Sequence, residues 1–172
     1  MKFTITLLIL ILMTSSCELF NKSQKDKPFT PKTENAVFPK PIGFINDFEN
    51  ILTEEEEKEL TTIIKKHESK TTDQIAIVTL TSIEPYENID DYSFDLANYW
   101  GVGQKDKNNG ILIALGKNLR AIRIQNGIGI EKRLTDSETK KIIDELMIPE
   151  FKQNNYFVGL KKGVEAIINE LK

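Results

Sequence analysis

Two short runs of almost uninterrupted apolar residues limit what this chain can fold into. They are Gln74 to Leu80 (QIAIVTL) and Ile111 to Leu115 (ILIAL). Such runs are typical of strands covered on both faces, as in parallel sheets flanked by helices. Arg120 to Gln125 alternates apolar and polar residues, which predicts a less completely covered strand. The turn at Gly116 to Asn118 predicts that this strand forms an antiparallel hairpin with the second run. The apolar stretch Ile42 to Asn46 is a further short strand candidate.

Helical patterns separate the strands. Thr53 to Glu56 is a capping box, with a hydroxyl at the N-cap and a carboxylate at N3. The helix that follows carries an apolar stripe at helical spacing, and His67 lies at its end. Asp90 to Trp100 predicts a second helix between the two apolar runs. We expect Tyr99 and Trp100 to pack at the end of this helix, with exposed contact residues as the alternative.

Two further helices are predicted after the hairpin. Thr135 to Glu138 is a second capping box and opens a helix that carries Ile142, Ile143 and Leu146. We expect Pro149 to end this helix, because proline lacks the N–H of a helix interior. The C-terminal segment predicts one more. The order β-α-β-α-β-β-α-α predicts an α/β fold, a three-layer α/β/α sandwich around a mixed, roughly four-stranded sheet.

The chain begins with the features of a bacterial lipoprotein leader. Lys2 precedes an apolar run from Phe3 to Met13, which has the size of a signal-peptide core and is too short to span a bilayer of about 30 Å. Small residues then precede Cys17 as in a lipobox, although Thr14 stands where leucine is usual. We predict a signal peptide over residues 1–16 and acylation of Cys17. The alternative is an ordinary signal peptide that is cut elsewhere and leaves a free thiol.

The residues after the leader predict a tether to the membrane. Residues 17–41 hold four of the six prolines, with polar residues between them, and such a stretch buries too little apolar surface to order itself. We therefore expect an acylated cysteine with a Pro-rich tether over residues 17–41 and a folded domain over residues 42–172. This arrangement predicts an extracytoplasmic protein that is lipid-anchored in a bacterial cell envelope.

The scarcity of soft ligands excludes several classes of site. The chain has one Cys and one His, and the Cys is predicted to lie outside the fold. Zinc fingers, Cys-His hydrolases and disulfide scaffolds need more of these residues. The net charge of -3 gives no reason to expect a nucleic-acid partner. A site in the domain must therefore use carboxylates, amides, hydroxyls, basic groups and backbone.

Two glycine-rich loops are predicted to meet at one edge of the sheet. The loop Gly101 to Gly110 enters the second apolar strand, and Asn126 to Glu131 leaves its antiparallel partner. A helical crossover makes the first apolar strand parallel to the second, which brings Thr72 and Asp73 to the same edge. Loops at strand ends are common ligand sites in α/β proteins. The candidate ligands at this edge are Asp73, Asp106, Asn108, Asn109, Glu131 and Asp136.

Oxygen ligands and flexible backbone suit a hard cation, Ca²⁺ or alternatively Mg²⁺, better than zinc or copper. The loop is not an EF-hand, because Lys117 stands where the bidentate glutamate is needed. It is not a dinucleotide fingerprint, because Lys132 stands at the third glycine position. The residues alone leave an alternative open, in which the loop glycines only permit tight turns. These glycines are Gly101, Gly103, Gly110, Gly127 and Gly129.

An ordered set of motifs over residues 42–171 resembles the TPM domain. The motifs are Gln74 to Thr79, Trp100 to Gly103, Asn109 to Ile113, Arg120 to Glu131 and Leu134 to Asp136. Leu119 departs from the family pattern, which has an acidic residue before Arg120. The resemblance implies an α/β/α sandwich, an extracytoplasmic location and a divalent-cation site on acidic loop residues. It also adds Asp47, which follows a short apolar run as in the family, to the candidate metal ligands.

The family includes thylakoid-lumen proteins with acid phosphatase activity, a receptor-auxiliary subunit and membrane-anchored bacterial proteins. We expect a membrane-anchored domain that binds a divalent cation and acts as a non-catalytic accessory or assembly factor for an envelope protein. One alternative is a metal-dependent acid phosphatase, which would use carboxylates, a metal and Arg120 or Arg123 against phosphoryl charge. The other is a pure protein-interaction module. The sequence assigns no catalytic residue.

Overall fold

A mixed sheet of four strands forms the centre of the domain. The computed structural model of the protein describes residues 30–33 and 35–172. The strands are β1 (Ile45–Asp47), β2 (Gln74–Thr79), β3 (Gly110–Gly116) and β4 (Ala121–Asn126), and they lie side by side in this order. The first three are parallel, and β4 runs antiparallel to β3. This confirms the predicted mixed α/β sheet and its hairpin.

Helices connect the parallel strands and follow the hairpin. Helix α1 (Glu54–Thr71) joins β1 to β2, and α2 (Ile89–Trp100) joins β2 to β3. After β4 come α3 (Ile128–Glu131), α4 (Asp136–Lys141), a π-helical segment (Ile142–Met147), α5 (Ile148–Phe151) and α6 (Tyr156–Glu170). Both predicted capping boxes are formed, at Thr53 and at Thr135. Within the described residues, no helix has the length and apolar content needed to cross a membrane.

Alternating side chains of the sheet build two separate apolar layers. One face packs against α1, the π-helical segment and α6, and the other packs against α2. Every residue of β3 is buried, which explains its uninterrupted apolar run. The first layer includes Ile75, Ile77, Ile111, Ile113 and Leu115, and the second includes Val78, Leu80, Leu112 and Ala114.

The positions of α1 and α2 give the two crossovers opposite hands. The steps from β1 to β2 and from β2 to β3 advance across the sheet in the same direction. Because α1 and α2 lie on opposite faces, one of these crossovers is right-handed and the other is left-handed. Right-handed crossovers are the strong rule in parallel sheets. The arrangement covers both faces of the sheet with a small number of helices.

The helix predicted after Thr135 differs from its expected course. Pro149 was expected to end it, but the chain passes through the π-helical segment and Pro149 lies in the first turn of α5. Proline is common in the first turn of a helix, where its fixed φ suits the helical backbone. The wider π turn also shifts the apolar face by one residue. Met147 is fully buried, whereas Leu146, which was predicted on the apolar face, is 37% exposed.

The last part of the predicted tether packs on the domain. The compact unit spans Pro31–Lys172 and therefore includes residues 31–41. Phe38 is buried beside Tyr92, with ring centroids 5.4 Å apart, and joins the apolar layer on α2. Trp100 donates from Nε1 to the carbonyl of Pro39 at 2.7 Å. Trp100 is thus held by packing at the end of α2, whereas Tyr99 remains about half exposed.

Candidate functional site

The two glycine-rich loops meet at the edge of the sheet where β2 and β3 begin and β4 ends, which we call the amino edge. Gln74 pairs with Gly110, and Ile111 pairs with Asn126. The loop that leaves β4 is hydrogen-bonded to the loop that enters β3: Gly127 N donates to Gly110 O at 2.8 Å, and Gly129 N donates to Asn108 O at 3.0 Å. The convergence inferred from topology is therefore present.

The loop glycines serve two different purposes. Gly101 and Gly103 have φ of 64° and 99°, the left-handed region that favours glycine. The other three are needed because backbone passes too close for a side chain. A Cβ on Gly110 would lie 2.0 Å from Val102 O, and one on Gly129 would lie 2.0 Å from Lys107 O. Gly127 is equally confined, by Asn108 O at 2.2 Å.

Asp73 is buried at the amino edge and is held by a guanidinium group. Its carboxylate accepts two hydrogen bonds from Arg133, Nη1 to Oδ2 at 2.9 Å and Nη2 to Oδ1 at 2.8 Å. Asn109 Nδ2 lies 3.4 Å from Oδ1. Burial by itself would raise the pKa of Asp73, but the hydrogen bonds and charge of Arg133, with Asn109, outweigh it and lower that pKa. Asp73 is therefore an ionised and internally paired carboxylate.

Asn109 fastens the loop before β3 to the end of α1. Its side chain is buried, its Oδ1 accepts from Gln104 N at 2.9 Å, and its Nδ2 donates to Thr72 O at 2.8 Å. Lys107 Nζ donates to the Thr72 hydroxyl at 2.8 Å. Two cations of the chain itself, Lys107 and Arg133, thus occupy the edge where a bound cation was predicted.

The other predicted ligands at the amino edge are solvent-exposed. They are Asp106, Asn108, Glu131 and Asp136. The backbone of Gly129 contacts that of Lys107, since a Cβ on Gly129 would lie 2.0 Å from Lys107 O. Asp106 and Glu131 each lie within two residues of this contact in the chain. Across residues 30–33 and 35–172, no group of three or more His, Cys, Asp or Glu side chains is arranged to hold a metal ion. As arranged, these residues do not fit a preformed cage for Ca²⁺ or Mg²⁺, which takes six or more oxygen ligands in proteins or keeps several waters.

Asp47 lies at the opposite edge of the sheet, where the parallel strands end, which we call the carboxyl edge. It is the last residue of β1 and pairs in register with Thr79. Its Oδ1 accepts from the Thr79 hydroxyl at 2.5 Å, and its Oδ2 accepts from Leu52 N at 2.8 Å. The side chain therefore closes the turn between β1 and α1. It is separated from the other predicted ligands by the length of the sheet.

The residues of the phosphatase alternative are also spread across the molecule. Arg120 lies in the turn between β3 and β4 at the carboxyl edge, whereas Asp106 and Glu131 lie at the amino edge. The seven residues of β3 separate these edges by about 20 Å. Arg123 Nε lies 3.3 Å from Asp90 Oδ1 on the face that carries α2. These carboxylates and arginines do not converge on a single phosphoryl group.

Sequence reasoning missed the role of Arg133, which lies 60 residues from its partner Asp73. The available signal was its place in the loop after β4, which the topology had already brought to the amino edge. A basic residue two positions after Glu131 could have been paired with Asp73 on that ground. Arg133 supplies from within the chain the positive charge that the acidic residues at this edge led us to expect from a bound cation.

His67 makes the stability of this edge sensitive to pH. It is 6% exposed, and its Nε2 lies 3.7 Å from Asp73 Oδ2. Burial lowers the pKa of His67 from its ordinary 6.5; the charge of Asp73 opposes this shift, and that of Arg133 reinforces it. His67 is therefore neutral at pH 7 and forms no ion pair there.

We expect the free energy of unfolding to decrease as the pH falls below about 6.5. In that range the unfolded chain binds a proton that folded His67 resists, with a slope of at most about 1.4 kcal/mol per pH unit. Urea unfolding at pH 7.5, 6.5 and 5.5 measures this. His67→Gln should flatten the dependence, and because the chain has one histidine, an unchanged slope in the variant would contradict the assignment.

The chain forms an α/β/α domain in which a β-hairpin completes a parallel sheet, with close backbone contacts at the glycines of the amino edge. The family model of the TPM domain matches residues 45–170 of the chain. The chain therefore belongs to the TPM domain family, as its motifs predicted. The match covers β1 to α6 and thus the whole sheet.

Solved structures share this fold. The N-terminal domain of a P. gingivalis protein has a TM-score of 0.68 at 34% identity and covers 74% of this chain and 81% of that chain. The BA42 protein of the psychrophilic bacterium Bizionia argentinensis has a TM-score of 0.62 at 26% identity, covering 72% and 83%. An N-terminal domain from Corynebacterium glutamicum, at 15% identity with a TM-score of 0.60 and coverage of 83% and 88%, shows the fold alone. No curated protein matches the chain.

Proposed function

We propose that this TPM domain is a lipid-anchored, extracytoplasmic accessory or assembly factor of the bacterial cell envelope and catalyses no reaction of its own. The observation that carries the non-catalytic part is the pairing of Asp73. Both oxygens of this buried carboxylate are bound by Arg133, so it is neither a free base nor an open metal ligand. A general base needs a lone pair directed at a substrate proton.

The anchor is supported by the leader pattern and by the domain boundary. Cys17 and the predicted signal peptide over residues 1–16 lie outside the described residues. The compact unit begins at Pro31, which leaves a short segment between Cys17 and the domain. A lipid at Cys17 would retain the domain at a membrane of the envelope, where an envelope protein partner would also lie.

The anchor is tested by Cys17→Ser in the full-length chain expressed in a bacterium. We expect the wild-type protein to incorporate labelled palmitate, to fractionate with membranes and to accumulate as a precursor under globomycin. Cys17→Ser should lose the label and the membrane association, because serine offers no thiol for diacylation. Ser16→Ala is the matched control, since it keeps a small residue before the cysteine. A wild-type protein that is released without label would contradict the anchor.

We propose in addition that Ca²⁺, or alternatively Mg²⁺, binds weakly at exposed loop oxygens of the amino edge. The donors are Asp106, Asn108, Glu131 and Asp136, and waters would complete the ion's shell. A calcium titration followed by NMR should shift resonances within residues 101–110 and 126–136. It should leave the Asp73–Arg133 pair intact.

Asp106→Asn should weaken the calcium-dependent shifts, because it removes one negative charge from the exposed donor set. Glu145→Gln is the control, an exposed carboxylate in the π-helical segment. Shifts that cluster elsewhere, or that are equally reduced by both variants, would exclude this location.

A further inference from the structure

A cleft of about 700 Å³ opens at the carboxyl edge of the sheet, at the opposite end of the strands from the candidate ligands of the amino edge. Its walls come from the end of β3, the turn to β4, the start of β4, α5 and the turn before α6. Ligands of α/β proteins favour the carboxyl ends of parallel strands. A volume of this size matches the pockets that hold small organic molecules.

Every charged residue that lines the cleft is basic, in a chain whose net charge is -3. They are Lys117, Arg120 and Lys152, and all three are exposed. Among the described residues, neither Arg120 nor Lys152 has a side-chain hydrogen bond or ion pair. Lys117 Nζ lies 5.3 Å from the ring centroid of Tyr156. The cleft therefore presents two cations without a partner and a third on an aromatic face.

Two acidic residues in the neighbouring segments form no ion pair with these cations. Glu49 accepts hydrogen bonds from the backbone N–H groups of Lys117 at 2.7 Å and Asn118 at 3.2 Å, which holds the turn in place. Glu150 is bound by Lys162 at 2.5 Å and by Asn155 at 3.1 Å. Both carboxylates are thus used to build the structure around the cleft.

The lining also includes two aromatic rings and aliphatic side chains, beside Asn118 and Asn154. Phe151 and Tyr156 stack with centroids 5.5 Å apart and an interplanar angle of 23°. Ile122 and Ile148 add aliphatic surface. A molecule that bears an acidic group and a flat apolar body would contact both kinds of wall. An arginine fork matches the oxygens of a carboxylate or phosphate, and aromatic side chains stack on planar groups.

We propose that this cleft binds a small organic anion. Its carboxylate or phosphate group is held by Lys117, Arg120 and Lys152, and its flat body packs against Phe151 and Tyr156. This goes beyond the proposed function, which assigns no ligand to the carboxyl edge. It is also independent of the amino edge, so the two can fail separately.

The test uses the full-length chain in a neutral detergent at low salt, with NMR and calorimetric titration. The probes are phenyl phosphate, benzoate, inorganic phosphate and benzyl alcohol. We expect saturable shifts at residues 115–122 and 148–156 with phenyl phosphate or benzoate, and the tighter of the two identifies the acidic group. Inorganic phosphate should bind about ten-fold more weakly because it lacks the ring. Benzyl alcohol should not bind, because it lacks the charge.

Arg120→Asn and Lys152→Gln should each weaken binding about ten-fold, since each removes a charged hydrogen-bond donor. Asparagine is chosen at Arg120 because φ there is 51°, which asparagine tolerates. Lys152→Gln keeps the test valid if Arg120→Asn fails to fold. Lys141→Gln, an exposed lysine on α4, is the control. Absence of saturable binding, shifts outside the cleft, equal binding of benzyl alcohol, or binding unaffected by both variants would each overturn the proposal.

Discussion

Gly110→Ala is expected to lower the free energy of unfolding by about 3 kcal/mol, the upper range for overpacking a tight interior. The new Cβ would lie 2.0 Å from Val102 O, 2.4 Å from Val102 C and 2.7 Å from Gly103 N. These are backbone atoms, so no side chain can rotate away to make room. The loop before β3 would have to move as a whole, and it is hydrogen-bonded to the loop after β4 through Gly110 O and Gly127 N at 2.8 Å.

Two other glycines provide graded controls in the same urea experiment. Gly43→Ala should change the free energy of unfolding by less than about 0.5 kcal/mol, since a Cβ there would meet nothing within 4 Å. Gly101→Ala also has open space, but φ is 64°, so a cost of about 1 kcal/mol is expected. If Gly110→Ala were no more destabilising than Gly101→Ala, backbone contact would not be the reason for glycine at that position.

Arg133→Ala and Asp73→Ala should both be destabilising, by about 3 kcal/mol for Arg133→Ala and by less for Asp73→Ala. The Asp73 side chain is 4% exposed, so Arg133→Ala leaves a buried carboxylate unpaired, whereas the Arg133 side chain is 40% exposed and water can solvate the guanidinium that Asp73→Ala leaves behind. The double variant should cost less than the sum, with a coupling of about 1 to 2 kcal/mol. Urea unfolding of the four proteins gives this double-mutant cycle.

The pH dependence of the same variants separates ionic pairing from simple packing. The lowered pKa of Asp73 means that its stabilisation is present above its unfolded value of about 3.8 and is lost as the pH falls. Without Arg133, burial is opposed only by the Asn109 hydrogen bond and by His67, and we expect the pKa of Asp73 to rise. In Arg133→Ala, the contribution of Asp73 to the free energy of unfolding should then decrease as the pH rises, which is the opposite of its dependence in the wild-type protein. The exposed Lys140–Asp144 pair is the control, with an expected coupling of about 0.5 kcal/mol. Equal couplings for the two pairs would contradict the assignment.

Much of the fold could be predicted because its signals are local. The continuous apolar run of β3 reports burial on two faces, and Thr53 and Thr135 report helix starts. Pro149 shows where local reasoning stops. A proline disfavours a helix interior, but one π turn upstream moved it into the first turn of the next helical segment. Beyond that turn, Met147 is fully buried in the core, a placement that local patterns do not reveal.

The location of the candidate site could be predicted from the sequence, but the pairing of its side chains could not. Hairpin topology brought the loops around Gly110 and Gly127 together, because antiparallel neighbours begin and end at the same edge. The topology could not say that Arg133 would approach Asp73, since side-chain pairing depends on distances set by the whole packed structure. The same holds for the carboxyl edge, where Arg120 and Lys152 are 32 positions apart in the chain and line one cleft.

The sequence by itself determined the elements, their order, the membership of the TPM family and the edge where the glycine loops converge. Periodicity, capping and turn chemistry depend on a few neighbouring residues, so they can be recognised in the sequence alone. Only the tertiary structure decided which face each crossover helix covers, that a guanidinium neutralises Asp73, and that Lys117, Arg120 and Lys152 surround a cleft. These features depend on contacts between segments that are distant in the chain, and such contacts are set only when the whole domain is packed.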